Sequence, residues 1–121
     1  MIVVPIEAGR GMNNREHWQV RAKRVRKERE AVSWVLRGAK RPETPCSVLL
    51  TRVAPSAGLD DDNLAGSLKS VRDEVAQWLG VDDRDRLRVR YRYAQARGPW
   101  SVRIEFGPAV VGAQFELEIS A

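Results

Sequence analysis

The chain has 121 residues, of which 43% are apolar and 31% charged, and its 21 Lys/Arg outweigh 16 Asp/Glu for a net charge of +5. A chain of this length suits one compact domain with its own core. A single cysteine, Cys46, excludes an intrachain disulfide and a cysteine-rich zinc site, and the lone His17 argues against histidine-based metal or nucleophile chemistry.

Residues 2–6, Ile-Val-Val-Pro-Ile, read as a short strand in which Pro5 marks an edge or an end. Residues 7–14 hold two Gly and two Asn and read as a loop. From Arg15 to Leu36 the spacing predicts a helix with Trp18, Ala22, Val25, Val32 and Leu36 on an inward stripe. Its other faces carry Arg15, Arg21, Lys23, Arg24, Arg26 and Lys27. Cys46 to Val53 has apolar residues of both parities, the pattern of a central strand covered on both faces. A second helix is expected over 63–79, where Leu64, Leu68, Val71, Val75 and Trp78 form one stripe and Gly80 stands just past the end. Residues 86–95 alternate, with Leu87, Val89, Tyr91 and Tyr93 one way and Arg86, Arg88, Arg90 and Arg92 the other. A turn at 96–99 leads into a strand from Trp100 to Phe106, and Gln114 to Ser120 reads as a last strand. The expected fold is a single α+β domain, a mixed sheet with two main helices, in the order β-α-β-α-β-β-β. Of the tryptophans, Trp18 and Trp78 are expected in the core, and Trp34 and Trp100 in the core or a dimer contact, the alternative for these two being exposure and stacking on bases. No apolar run approaches the ~18 residues of a membrane span. The opening residues lack the basic start of a signal peptide, and the expected compartment is a reducing cytoplasm.

The net charge hides a partition. Residues 1–42 carry 11 basic and 4 acidic residues, residues 58–85 carry 3 and 8, and residues 86–121 carry 6 and 3. An acidic island thus lies inside a basic chain. Basic patches hold polyanions, and clustered carboxylates hold hard cations. The island opens with Asp60-Asp61-Asp62-Asn63 and closes with Asp82-Asp83 and Asp85. One reading makes Asp62 or Asn63 a helix cap with the other acids complementing the dipole. The other makes Asp60 and Asp62, which project to the same side of an extended approach, a pair of cation ligands. His17 reads as a structural, capping or phosphate contact.

The stretch Leu59 to Asp83 resembles the core of the RusA-like Holliday-junction resolvases of phages and prophages. The resemblance rests on Asp60-x-Asp62-Asn63, a helix bearing Lys69 and Asp73, and the Gly80 turn into Asp82-Asp83. Asn13-Asn14 through His17-Trp18, and Tyr93-Ala94-Gln95 with Arg97-Gly98, carry it over roughly residues 2–106. It departs from the family pattern at the lysine, which usually sits three residues after the asparagine: Gly66 stands there, and Lys69 follows six after. The resemblance implies a homodimeric Mg²⁺-dependent endonuclease, Mn²⁺ being a possible substitute, that makes paired nicks in four-way DNA junctions. Its metal ligands would fall on Asp60, Asp62 and Asp83, with Asp83 joining within or across subunits, and Lys69 would neutralise phosphate charge. Arg15, Arg21, Lys23, Arg24, Lys27 and the stripe Arg86, Arg88, Arg90 and Arg92 would hold the DNA backbone. Neither a membrane nor a small-molecule cofactor is implied. The alternative is a non-catalytic DNA-binding protein that uses the acids as helix caps.

Overall fold

The structure is a computed structural model, and it describes residues 1–9, 17–56, 58–82 and 84–109. Within them run strand β1 (Ile2–Val4), helix α1 (Trp18–Leu36), strand β2 (Cys46–Ala54), helices α2 (Asp61–Ser67) and α3 (Lys69–Leu79), and strands β3 (Val89–Arg97) and β4 (Ser101–Pro108). The expected α+β class with a mixed sheet is what forms. The strand expected over 114–120 lies outside the described residues.

The sheet order is β1-β4-β2-β3, with β2 parallel to β3 and antiparallel to β4. The parallel pair needs a crossover, which α2 and α3 supply. The helices lie against one face. Val32 and Leu36 of α1, Leu64 of α2, and Leu68, Val71, Val75 and Leu79 along the α2–α3 run share one core with Val48, Leu50, Val89, Val102 and Ile104 of the strands. β2 is central, as its apolar run implies, but a second helical layer does not form among the described residues. On the other face Leu49 is half-buried and pairs in register with Arg92 on β3 and Glu105 on β4. Thr51 pairs there with Arg103. Long side chains can shield apolar surface with their stems while keeping their charges wet, so Thr51 and Val53 are buried on this face without a helical layer over it.

The helix expected over 63–79 is two helices that meet at Leu68, whose φ of -102° and ψ of 5° leave the helical region. Gly66-Ser67 accounts for the break. Glycine weakens the ladder, and Ser67 Oγ donates to the Leu64 carbonyl at 2.7 Å, a back-bond that bends helices. Gly80 ends α3 at a φ of 72°, a left-handed position that favours glycine, and its N–H caps the Ala76 and Gln77 carbonyls.

α1 also departs from its expected stripe. Its buried side chains are Glu28, Val32 and Leu36, whereas Trp18 is 70% exposed. The helix turns to let Glu28 reach α3. The Glu28 carboxylate accepts from Ser70 Oγ at 2.7 Å, from Arg24 and from the Gly9 N–H. Beside it, Arg29 donates to Glu74 at 2.8 Å and to Gln77 at 2.8 Å. A buried carboxylate is tolerated only when its oxygens are satisfied, so these partners set the rotation of α1 in place of the tryptophan. Trp78 is half-buried, with its ring centre 5.7 Å from that of Phe106.

The alternating run 86–95 becomes strand only from Val89. Asp85 Oδ1 accepts from the N–H groups of both Leu87 and Arg88, a local turn that competes with the ladder. The pairing partner also stops here, because Val89 faces Cys46 and the preceding Pro45 has no N–H to give. Leu87, expected to point inward, is 89% exposed as a result.

Candidate functional site

β2 and β3 end at the same edge of the sheet, with Ala54 paired to Arg97, and β4 begins beside them at Ser101. α2 starts just beyond. Open α/β sheets favour ligand sites beyond the carboxyl ends of parallel strands. The three acids Asp60, Asp61 and Asp62 are exposed at this edge.

Their approach is held by Gln95. Its amide oxygen accepts from Leu59 N at 2.8 Å, and its amide nitrogen donates to the Leu59 carbonyl at 2.7 Å. A strand side chain thus pairs with a loop peptide as another strand would, and fixes the residue before Asp60. Gly58 makes this possible, because a Cβ there would stand 2.8 Å from the Gln95 amide oxygen. Asp60 then takes the N-cap position of α2, its Oδ1 accepting from Asn63 N at 2.9 Å. The capping acid is therefore Asp60, where the sequence pointed to Asp62 or Asn63. Asp61 and Asp62 occupy the first turn, where the helix dipole favours negative charge, so the extended approach ends at Asp60 and the alternation expected to set Asp60 and Asp62 on one side does not reach Asp62.

Basic groups adjoin this edge. A pocket of about 350 Å³ is lined by Arg52, Ser56, Gly58, Gln95 and Arg97. Arg52 is buried: its Nε donates to the Ala8 carbonyl at 3.0 Å, and its guanidinium lies 5.0 Å from the centre of the Trp100 ring. Burial lowers the Arg52 pKa, but guanidinium is so basic that it stays charged. Gly9 abuts α2, since a Cβ on it would meet Ser67 Cβ at 2.6 Å. Sequence reasoning did not single out Gln95 as a positioning residue, Gly58 as its seat or Arg52 as a buried cation. A lone glutamine or glycine gives no periodic signal, and Arg52 lay in a run read as apolar.

The other predicted residues are scattered. Lys69 is exposed at the start of α3 and pairs with Asp73 at 2.7 Å, one turn further from Asp60. Arg15 and Asp83 lie outside the described residues. Asp82 and Arg84, which flank Asp83 in sequence, follow the end of α3, and Asp82 Oδ1 accepts from Arg84 N at 2.9 Å. The run from Asp61 to Leu79, bent at Leu68, separates the start of α2 from the end of α3. Arg21, Lys23 and Lys27 are exposed on α1, and Arg24 is half-buried beside Glu28. Arg86 and Arg88 fall in the turn before β3, with Arg88 3.6 Å from Asp85, while Arg90 and Arg92 lie on β3. His17 caps α1, its Nδ1 accepting from Gln19 N at 3.2 Å. Cys46 is buried in the core, and burial raises its thiol pKa.

Among the described residues no three His, Cys, Asp or Glu side chains gather into a metal cage. The donor set at α2 still suits one kind of ion. Mg²⁺ keeps most of its waters and is commonly held by one or two carboxylates together with substrate phosphate, and the exposed Asp62 and the second oxygen of Asp60 are each one such ligand. Comparison with protein-family models, curated proteins and solved structures returns no match. No helix among the described residues is long and apolar enough to cross a membrane.

Proposed function

We propose that the protein is a Mg²⁺-dependent, structure-selective endodeoxyribonuclease that resolves four-way DNA junctions by paired symmetric nicks. The observation that carries this reading is the Gln95 clasp on Leu59, which presents Asp60 and Asp62 at a sheet edge next to a basic pocket. Three exposed acids beside a polyanion-binding surface repel phosphate unless a cation is shared between them, and a pure DNA binder gains from them only a helix cap and a dipole complement.

Asp60 and Asp62 would hold the ion, and when bound it supplies a polarised phosphoryl oxygen and a water acidic enough to attack. Arg97 and Arg52 line the pocket where a backbone phosphate is received and its charge offset. Lys69 can leave Asp73 at little cost, because exposed ion pairs contribute only about 0–1 kcal/mol, and then serves as a mobile cation. The exposed bases of α1 and the Arg90/Arg92 face of β3 engage DNA backbone without reading its sequence. Asp83 belongs to this site through the family resemblance. It would join within one chain or across the two subunits of the homodimer that the resemblance implies.

The test uses an end-labelled four-way junction and a matched duplex with Mg²⁺ or EDTA. The expected result is symmetric nicking of the junction alone, only with Mg²⁺, lost in Asp62→Asn while junction binding stays. Tight junction binding without cleavage in Mg²⁺ or Mn²⁺ overturns the enzyme reading. The helix-capping, non-catalytic alternative has one observation in its favour, the Asp60–Asn63 cap itself, and that outcome would favour it.

A further inference from the structure

The face of α1 that carries Trp18 is not core. Trp18 is 70% and Trp34 71% exposed, near the two ends of the helix. Both line one shallow groove of about 840 Å³ that runs along α1 and borders α3 at Glu74 and Gln77. Two exposed tryptophans in one groove are unusual on a free surface, where large apolar patches mark interaction sites.

The charges around them narrow the occupant. Arg21, Arg26, Arg29 and Arg37 line the groove against Glu30 and Glu74, and Glu74 is already taken by Arg29 at 2.8 Å. The Arg37 guanidinium lies 5.3 Å from the centre of the Trp34 ring. A second copy of α1 laid here would set arginines against arginines with few acids to answer them. A polyanion carrying flat aromatic groups answers both features. Bases stack on tryptophan while phosphates meet arginine, and such stacking is indifferent to sequence.

We infer that the Trp18–Trp34 groove of α1 binds unpaired nucleotides of a single-stranded or branched DNA. Trp18 and Trp34 are about 24 Å apart along the axis, at ~1.5 Å per residue. That length is roughly seven nucleotides at the ~3.4 Å per nucleotide of a stacked strand. The inference rests on the DNA-binding half of the proposed function and not on cleavage.

The experiment is done in EDTA with the intact chain. Oligo(dT) is titrated while tryptophan emission is followed, and heparin, a polyanion without bases, is titrated in parallel. Oligo(dT) is expected to quench emission. Trp18→Ala and Trp34→Ala are each expected to weaken oligo(dT) binding about fivefold or more, with heparin affinity and melting temperature unchanged, and Trp→Phe at either site to restore most of the loss. Equal losses for heparin and oligo(dT), or none for either, overturn the inference. So does a concentration-dependent dimer that the alanine variants dissociate while oligo(dT) binding persists, which would make this face a contact between copies. Junction cleavage by the wild type is scored separately. Cleavage without oligo(dT) binding defeats this inference alone, and oligo(dT) binding without cleavage defeats only the nuclease reading.

Discussion

Gln95→Glu is the sharpest probe of how the acidic edge is built. The substitution keeps size and shape. The carboxylate still accepts from Leu59 N, but it has no donor for the Leu59 carbonyl, now held at 2.7 Å. One hydrogen bond, worth about 0.5–1.5 kcal/mol, is lost and two acceptors face each other. A further negative charge also arrives next to Asp60. The expected cost is about 1–2 kcal/mol. At ~2.1 cal/mol/K of unfolding entropy per residue, a chain of 121 residues shifts its Tm by about 4 °C per kcal/mol, so the melt falls by about 4–8 °C. Amide exchange at Leu59 and Asp60 rises more than exchange in the core, because the loop opens locally. Junction nicking falls further than stability does. Gln95→Met, which loses both hydrogen bonds but adds no charge, lowers the melt with a smaller effect on nicking. An unchanged Tm together with unchanged exchange at Leu59 would show that the clasp does not hold this edge.

Three other substitutions or conditions follow from the same structure. Asp60→Asn keeps the cap and costs less than about 0.5 kcal/mol, while Asp60→Ala costs about 1 kcal/mol; both abolish nicking, and an Asp60→Asn protein that cuts normally would reduce Asp60 to a cap. Gly9→Ala forces a side chain into a φ of 72° with its Cβ 2.6 Å from Ser67 Cβ, so urea unfolding should show a loss of about 2 kcal/mol, and an unchanged midpoint would contradict the seating of Gly9 on α2. The buried Cys46 thiol has a raised pKa. A group held neutral in this way gives its full share of stability below its unfolded pKa of about 8.5 and loses it as pH rises through the folded value. The unfolding free energy should therefore decline above about pH 8.5 more in the wild type than in Cys46→Ala, and equal slopes would refute the assignment.

The fold was largely legible in the sequence because most of its elements are periodic. The Leu64–Leu68–Val71–Val75 stripe and the Gly80 stop specify the crossover helix, and the both-parity run of β2 specifies its central position. The failures have local causes. The Gly66-Ser67 break is made by one side-chain back-bond, and the early end of the arginine stripe by the Asp85 turn. The rotation of α1 was hidden because a buried glutamate, satisfied from three separate elements, outweighs a tryptophan in choosing the inward face. The acidic pair was visible as a cluster. Its supports, Gln95 and Gly58, were not, because a bond spanning 36 residues leaves no mark on either neighbourhood.

The proposed nuclease requires Asp60 and Asp62 to bind a divalent ion and not merely to cap α2. Mn²⁺ titration followed by electron paramagnetic resonance tests this directly, in the wild type, in Asp60→Asn and in Asp62→Asn. A Mn²⁺ site is expected in the wild type that weakens at least tenfold in either variant while α2 stays folded. Absence of Mn²⁺ binding by the wild type, or binding unchanged in both variants, would contradict it.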